Sequence, residues 1–320
     1  MLARSLMALA FAALATTSAA AQNWPDRPIR FVMSAPAGSS IDVLGRAIAD
    51  KLAAKLGQPV AVEDKPAAGG TVATAEVAHA AADGYTMLLA FNGPLSFAPL
   101  LQKLPYDVGR DLAPVITTTS QPNVLVVNSE LPVHTLAELV AYAKAHPGKL
   151  NYASVGNGSS SHLCMELFKQ LAGIDVVHIP FNGSPPAVTA TIKGETQMMF
   201  AVMQPLQPQI DAGKLRAIAV TTAKPFPLFP NIPSIAQSGY PGFEVLAWNG
   251  VMVPAATPKP IVARLNAEID AILKDPDIVT RMHRLGFDLI GGTPEQFGAL
   301  VKGESEKWAP VIRKIGLKID

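Results

Sequence analysis

The sequence has little cysteine, little charge and no excess of either sign, and each shortage excludes a class of protein. A single Cys among 320 residues excludes an intrachain disulfide and any CxxC metal or redox motif. The formal net charge of +1 lacks the basic excess that is typical of nucleic-acid binders. Charged residues make up 16% of the chain and hydrophobic residues 49%, a balance that is untypical of disorder. What remains is a folded protein, long enough for two domains, with no nucleic-acid partner.

Long apolar runs are also scarce, and the one at the start of the chain predicts a secretory signal peptide over residues 1–21. Arg4 precedes an apolar run at 6–15, and Ala19, Ala20 and Ala21 form a small-residue cleavage site. This run is too short to span a membrane. No Cys follows the cleavage site directly, so a lipid anchor is not expected. We therefore predict a protein that is exported and is not lipid-anchored.

Strand and helix patterns alternate in the first part of the chain. Short apolar runs at 29–33, 60–62 and 85–91 predict strands. Apolar residues recur at helical spacing over 39–56, and an Ala-rich helix that begins with Thr71 as its cap is predicted over 71–82. This order predicts parallel strands flanked by helices.

A second α/β unit begins near Val124. Its predicted elements are strands at 124–128, 151–154, 176–179, 198–203 and 216–221 and helices at 136–145, 162–171 and 185–193. Residues 223–242 are rich in Pro, Phe and Gly and are predicted to be irregular, and a strand follows at 245–253. The tail is predicted to form helices at 258–273, 276–285 and 293–315, the last with a capping box that starts at Thr293.

Two strand-to-helix loops share one device. The first strand leads into residues 34–42 (SAPAGSSID), and the strand at 151–154 leads into residues 155–162 (VGNGSSSH). Small residues let a ligand approach the backbone, and the free N–H groups and positive end of the following helix favour an anion. A single Gly/Ser turn before a helix is common and often purely structural. Two of them, one in each unit, predict a cleft between two lobes that suits a ligand with a carboxylate at each end.

Two further features of these loops bear on the site. Asp42 follows Ser39 at capping-box spacing, so Asp42 is expected to hold its own loop. A third strand-to-helix loop at 181–186 (FNGSPP) has the same possible use.

Catalytic patterns are weak: there is no G-x-S-x-G, and Ser159, Ser160, Ser161 and His162 are contiguous, unlike a Ser–His–Asp triad. Cys164 is expected to be a buried small apolar residue, and no metal or cofactor is expected.

Several stretches resemble a known family in their order and spacing. They are WPDRPI at 24–29, DKPAAGG at 64–70, DGYT at 83–86, LPYD at 104–107, PGKLNY at 147–152, GNGS at 156–159, HIPFNG at 178–183, GKLR at 213–216 and AWNG at 247–250. Over residues 24–320 the chain resembles the periplasmic solute-binding receptors of tripartite tricarboxylate transporters, the Bug family.

The resemblance implies an α/β, two-lobed, type II periplasmic-binding-protein fold. Each lobe would be a mixed, mostly parallel sheet flanked by helices, with two crossovers as the hinge. Residues 22–123 and 248–320 would form lobe 1, and residues 124–247 would form lobe 2. The ligand would lie between the lobes, held by backbone N–H groups and small hydroxyls, with no cofactor and no second copy of the chain.

The candidate ligand-binding residues fall on the two lobes and the cleft walls. They are Ala35, Ala37, Gly38, Ser39, Ser40, Asp42, Asn92, Ser154, Gly156, Ser159, Ser160, Ser161, Phe181, Asn182 and Gly183. The chain departs from the family pattern at Ser39, where a second Gly is usual, and at Phe181 and Asn182, where Tyr-Lys is usual. Because both departures change the donors offered to a ligand, the family's usual dicarboxylates are not assumed.

Three functions compete at this point. The first is a receptor that captures a small organic acid by lobe closure and delivers it to membrane transporter subunits. The second is a periplasmic sensor that presents the bound solute to a signalling membrane protein. The third is an exported hydrolase that uses His162 or a Ser, which predicts turnover that is lost on replacing His162.

Overall fold

The computed structural model describes residues 24–317, so the predicted signal peptide lies outside the described residues. The strands are, in chain order, β1 (Ile29–Met33), β2 (Val60–Asp64), β3 (Thr86–Phe91), β4 (Leu112–Pro122), β5 (Val124–Asn128), β6 (Leu150–Ser154), β7 (Val176–Pro180), β8 (Met198–Ala201), β9 (Leu215–Val220), β10 (Leu246–Pro254) and β11 (Leu289–Gly291). The α-helices are α1 (Ser40–Leu56), α2 (Thr71–Ala78), α3 (Ala98–Leu101), α4 (Val108–Asp111), α5 (Leu136–Ala145), α6 (Ser160–Ala172), α7 (Ser184–Ile192), α8 (Met203–Asp211), α9 (Lys259–Leu273), α10 (Pro276–Arg284) and α11 (Pro294–Ile315). Within the described range, none of the helices is long and apolar enough to cross a membrane.

The strands form two mixed sheets. The six-stranded sheet has the order β11-β4-β10-β3-β1-β2, and the five-stranded sheet has the order β7-β6-β8-β5-β9. In the first sheet β1, β2, β3 and β4 run in one direction and β10 and β11 run against them. In the second sheet only β5 opposes the other strands. The predicted α/β class with two mixed sheets flanked by helices is therefore confirmed. The expectation that the sheets are mostly parallel was wrong, because four neighbouring strand pairs are parallel and five are antiparallel.

The chain passes between the sheets twice. Asn123 separates β4 in the first sheet from β5 in the second, and β9 is followed by an irregular stretch that returns the chain to β10. The two passages meet: the Asn123 amide donates to Thr221 Oγ1 at 2.9 Å, and the Thr221 and Val245 amides donate to Asn123 O and Thr221 O at 3.0 Å. Backbone hydrogen bonds thus tie the crossover strands side by side at the base of the cleft.

The exact lobe boundaries stay a prediction, and the last helix complicates them. Residues 248–320 were all expected in lobe 1, but Trp308 and Ile312 of α11 pack into the core of the second sheet with Phe168 and Phe200. Phe97, which follows β3, meets the Trp308 ring edge-on with centroids 5.4 Å apart. The C-terminal half of α11 therefore bridges both sheets.

Helix α1 shows how the sequence positions the first loop. Its buried residues Ile41, Leu44, Ile48 and Leu52 recur every three to four positions, so one face packs on the sheet. Gly57 ends the helix with φ +70°, a left-handed conformation that glycine adopts without strain. Because α1 packs along β1, its N-terminus lies where β1 ends.

Some local expectations were wrong. The N-cap of α2 is Gly70 and not Thr71, and the helix ends at Ala78 and not at residue 82. Strand β4 and helix α8 were not predicted, since β4 is rich in buried Thr and α8 contains Pro208. The capping box at Thr293 is confirmed.

Candidate functional site

A cleft of about 700 Å³, counted with its mouth, lies between the two lobes. The first lobe contributes Ser34, Ala35, Pro36, Ser39, Ser40, Ile41, Pro66, Ala67, Gly69, Gly70, Phe91 and Asn92, and the second contributes Val155, Ser160, Ser161, Asn182, Gly183, Ser184, Ala201 and Val202. Asn123, Ala247 and Asn249 line it at the crossovers. No Asp, Glu, Lys, Arg or His of the described residues lines it, so the cleft offers an anion hydroxyls, amides and apolar walls.

The N-terminus of α1 opens into this cleft. Ser39 is the N-cap: its hydroxyl accepts from the Asp42 amide at 3.3 Å, and its own amide donates to Pro36 O at 3.1 Å. The amides of Ser40 and Ile41 find no acceptor among residues 24–317. Two free donors at the positive end of a 17-residue helix are an arrangement that favours an anion.

Asp42 lies beneath the loop and outside the cleft lining. Its Oδ2 accepts from the Gly38 amide at 2.8 Å, and its carboxylate pairs with Arg46, which also pairs with Asp64. Burial, followed by the charge of Asp42, raises the pKa of Asp64. Only one of the two capping-box hydrogen bonds is present. The Ser39 hydroxyl accepts from the Asp42 amide, but the Asp42 carboxylate accepts from the Gly38 amide and not from the Ser39 amide. Ala37 and Gly38 are exposed on the turn and do not line the cleft.

The N-terminus of α6 opens into the cleft from the other lobe with the same geometry. The Ser159 hydroxyl accepts from the His162 amide at 3.3 Å and donates to Gly156 O at 2.7 Å. In the described part of the chain, the amides of Ser160 and Ser161 have no acceptor. The Ser161 hydroxyl accepts from the Val155 amide at 3.1 Å and keeps its proton for another partner.

Other predicted site residues support the loop from behind. Ser154 Oγ lies 2.7 Å from His178 Nε2 and accepts from the Gly156 amide at 3.3 Å. Neither Ser154 nor Gly156 lines the cleft, and Ser159 acts as a cap below it. Phe181 packs against the apolar side of the second sheet, while Asn182 and Gly183 line the cleft.

Buried oxygens without a partner mark three positions in the lining. The hydroxyls of Ser34 and Ser184 have none among the described residues. Asn92 donates its Nδ2 to Leu246 O at 2.9 Å, which leaves its Oδ1 unpartnered. An orphaned buried polar atom costs free energy, so such groups are satisfied when a ligand or water meets them. Sequence reasoning found Asn92 but missed both serines, although each stands at a strand end or helix start.

Glycines carry the contact between the lobes. A Cβ on Gly69 would lie 2.6 Å from Asn157 O, and one on Gly183 would lie 2.4 Å from the Pro36 ring. A Cβ on Gly156 would lie 3.2 Å from the Gly69 Cα. The lobes therefore touch backbone to backbone beside the cleft, which only residues without a side chain allow.

Neither a His nor a Cys of residues 24–317 lines the cleft. His162 is buried, and its Nδ1 accepts from the Gly158 amide at 3.2 Å. Desolvation lowers the pKa of His162 to about 4, so the ring is neutral at pH 7. Cys164 is fully buried, as predicted, with its pKa raised by burial, and its Sγ accepts from Asn123 Nδ2 at 3.6 Å.

Comparison with known proteins agrees with this geometry. The family model of the tripartite tricarboxylate transporter family receptor matches residues 44–317. Protein BugT of Bordetella pertussis is 36% identical over 301 residues, covering 93% of this chain and 92% of BugT.

Two solved structures extend the likeness to the fold. R. palustris Rpa4515 with adipate has a TM-score of 0.89 and 32% identity, covering 92% of this chain and 99% of that one. MatC of Rhodopseudomonas palustris with bound malate has a TM-score of 0.86 and 33% identity, covering 90% and 100%. Proteins of this family are periplasmic solute-binding proteins rather than enzymes, which removes the hydrolase hypothesis. The chain therefore belongs to the receptor family of tripartite tricarboxylate transporters and is one of its Bug-type periplasmic binding proteins.

Proposed function

We propose that the protein captures a small organic acid in the cleft and delivers it to a tripartite tricarboxylate-type membrane transporter. One observation carries the proposal: two helix N-termini, from opposite lobes, direct free amides into a single cleft. Ser40 and Ile41 supply the amides of the first lobe, and Ser160 and Ser161 supply those of the second. A ligand that uses both sets stabilises the state in which the lobes touch, which is the differential affinity that closure requires.

The lining defines the chemistry of the ligand. Helix N-termini favour an anion, and the hydroxyls of Ser34 and Ser184 are further donors. No basic side chain of the described residues neutralises the acid, and Phe91, Val202 and Ala247 offer apolar walls. We assign an organic acid whose carboxylates meet the two helix N-termini and whose body between them is compact and uncharged. The similar proteins Rpa4515 with adipate and MatC with malate support an organic acid as the ligand, and they do not determine which acid binds here.

A thermal-shift screen tests the proposal. The panel pairs adipate, malate, aliphatic monocarboxylates and aromatic acids with their neutral amides, which keep the shape and lose the charge. A ligand at 100 times its Kd adds about 2.7 kcal/mol of stability. We expect an acid, and not its amide, to raise the Tm. If no acid does so, and mass spectrometry of the denatured protein finds no retained acid, the proposal fails.

Delivery is tested in cells. Uptake of the labelled acid should require both this chain and the membrane subunits, and it should fall when either is deleted. A sensor with the same cleft would bind the acid equally well. If deletion of this chain leaves uptake unchanged but abolishes an acid-induced transcriptional response, the result would therefore favour the sensor.

A further inference from the structure

Beneath the second cleft loop (residues 155–159) lies a pair of stacked imidazoles. The rings of His162, on α6, and His178, on β7, have centroids 4.0 Å apart and planes 13° apart. His178 is stacked in turn on Tyr152 of β6, at 4.7 Å. These side chains form a packed column from the sheet to the helix, and no acid-binding role uses them.

Both imidazoles are hydrogen-bonded to the loop or its anchor. His162 Nδ1 accepts from the Gly158 amide at 3.2 Å. His178 Nε2 bonds Ser154 Oγ at 2.7 Å, and the same oxygen accepts from the Gly156 amide at 3.3 Å. Two backbone amides of the loop are thus fixed from below through this column.

The second cleft loop contributes both to the ligand donors and to the contact between the lobes. It leads directly into Ser160 and Ser161, whose amides line the cleft. It also forms the lobe contact, because Gly156 meets Gly69 and Gly158 O would lie 3.1 Å from a Cβ on Gly93. A shift of the loop would therefore change both the ligand donors and the fit between the lobes.

We propose that neutral His162, stacked on His178, is a positioning residue that holds the second cleft loop in its ligand-binding conformation. Only an unprotonated Nδ1 accepts from Gly158, so a proton on this atom would replace the bond by donor–donor repulsion. The effect on ligand affinity rests on the proposed function, whereas the effect on the loop does not.

The surroundings keep the pair neutral. The titratable groups beside the two rings are Tyr152 on β6 and Glu166 and Lys169 on α6; Tyr152 donates to Glu166 at 2.6 Å, and Lys169 donates to Glu166 at 2.8 Å. Glu166 is thereby satisfied by partners other than a histidine. Desolvation, followed by repulsion from His162 once that ring is protonated, lowers the pKa of His178 to about 3.

Two variants separate the hydrogen bond from the packing. His162→Asn keeps a short side-chain acceptor for Gly158 but cannot titrate, and His162→Leu keeps apolar bulk without an acceptor. At pH 7 the Leu variant should bind adipate or malate at least about tenfold more weakly, which corresponds to the loss of one buried hydrogen bond. The Asn variant should lie within about threefold of wild type. His146→Asn, at an exposed histidine stacked on Tyr142, is the matched control and should change nothing.

Hydrogen exchange of the Gly158 amide, followed by NMR in ligand-free protein, is the second readout. Protection should fall at least about tenfold in the Leu variant. In wild type it should also fall as the pH drops through about 4, and the Asn variant should keep its protection there. Equal Gly158 protection in wild type and the Leu variant, or equal losses in the Asn and Leu variants, would overturn the proposal. If the Leu variant does not fold, the pH profile of wild type against the Asn variant decides. If adipate and malate fail to bind even wild type while Gly158 behaves as expected, the proposed function is at fault and the positioning role stands.

Discussion

Gly69 tests whether the lobes must touch for an acid to be held. Its φ of +63° lies in the left-handed region, and a Cβ there would lie 2.6 Å from Asn157 O of the other lobe. Gly69→Ala therefore has two effects. The left-handed conformation costs about 1–2 kcal/mol in the open and closed states alike. The clash with Asn157 exists only when the lobes are closed.

The clash sets the expected loss of affinity. Forcing a methyl group into a filled contact costs about 1–3 kcal/mol, which corresponds to a Kd about 5- to 150-fold higher. Gly57→Ala is the matched control, because Gly57 has φ +70° and a Cβ there meets nothing within 4 Å. Both variants should lower the Tm to a similar degree.

Isothermal titration with adipate or malate separates the two effects. Gly69→Ala should weaken binding by the factor above, and Gly57→Ala should bind as wild type does. If both variants bind equally well, contact between Gly69 and Asn157 does not contribute to the ligand-bound state, and the closure argument is refuted.

Four further outcomes are expected. Ser34→Ala should weaken acid binding, because it removes a hydroxyl that lines the cleft and has no partner among the described residues; wild-type affinity by isothermal titration would contradict this role. Gly303→Ala, in the interior of α11 with open space around it, should stabilise by about 0.5–1 kcal/mol in urea unfolding. Gly250→Ala, whose Cβ would meet the Phe297 ring at 2.1–2.6 Å, should destabilise by about 1–3 kcal/mol, and equal stability of these two glycine variants would refute the packing argument. Because the folded pKa of His162 is about 4 and its unfolded value 6.5, the unfolded chain binds the extra proton between these values. His162 alone should therefore lower the free energy of unfolding by up to about 3 kcal/mol from pH 6.5 to pH 4 and should contribute no slope above pH 6.5. His178, whose folded pKa is about 3, adds to this fall, and His162→Asn should remove only the part that His162 supplies.

The fold was predictable where local patterns and packing agree. The apolar spacing of α1 and the capping box at Thr293 depend on neighbours in sequence, and both are found as expected. Strand β4 was missed because its Thr residues become buried only when β10 and β11 pair on its two sides. The bridging packing of Trp308 depends likewise on contacts with residues far away in the chain.

The sequence predicted which loops form the candidate site but not which of their hydrogen-bonding groups face the cleft. The two Gly/Ser turns do place Ser40 and Ser160 in one cleft. The sequence could not tell which polar groups are used internally. The Ser39 amide donates to Pro36 O, the Gly156 amide donates to Ser154 Oγ, and the same Ser154 oxygen bonds His178 Nε2. The contribution of Gly69 was also missed, since its contact with Asn157 of the other lobe exists only in three dimensions.

The central claim is that free backbone amides at the helix N-termini hold the acid, and Ser40 tests it most directly. Ser40 is the first residue of α1, a position that accepts Pro without loss of a helix hydrogen bond, and Ser39 before it has the extended ψ of 164° that Pro requires. Ser40→Ala removes the hydroxyl alone, and Ser40→Pro removes the amide proton as well. By isothermal titration with the acid that stabilises wild type most, Ser40→Pro should bind about 10- to 150-fold more weakly than Ser40→Ala, the range for one hydrogen bond to a charged group. Equal affinities of two folded variants would contradict the claim.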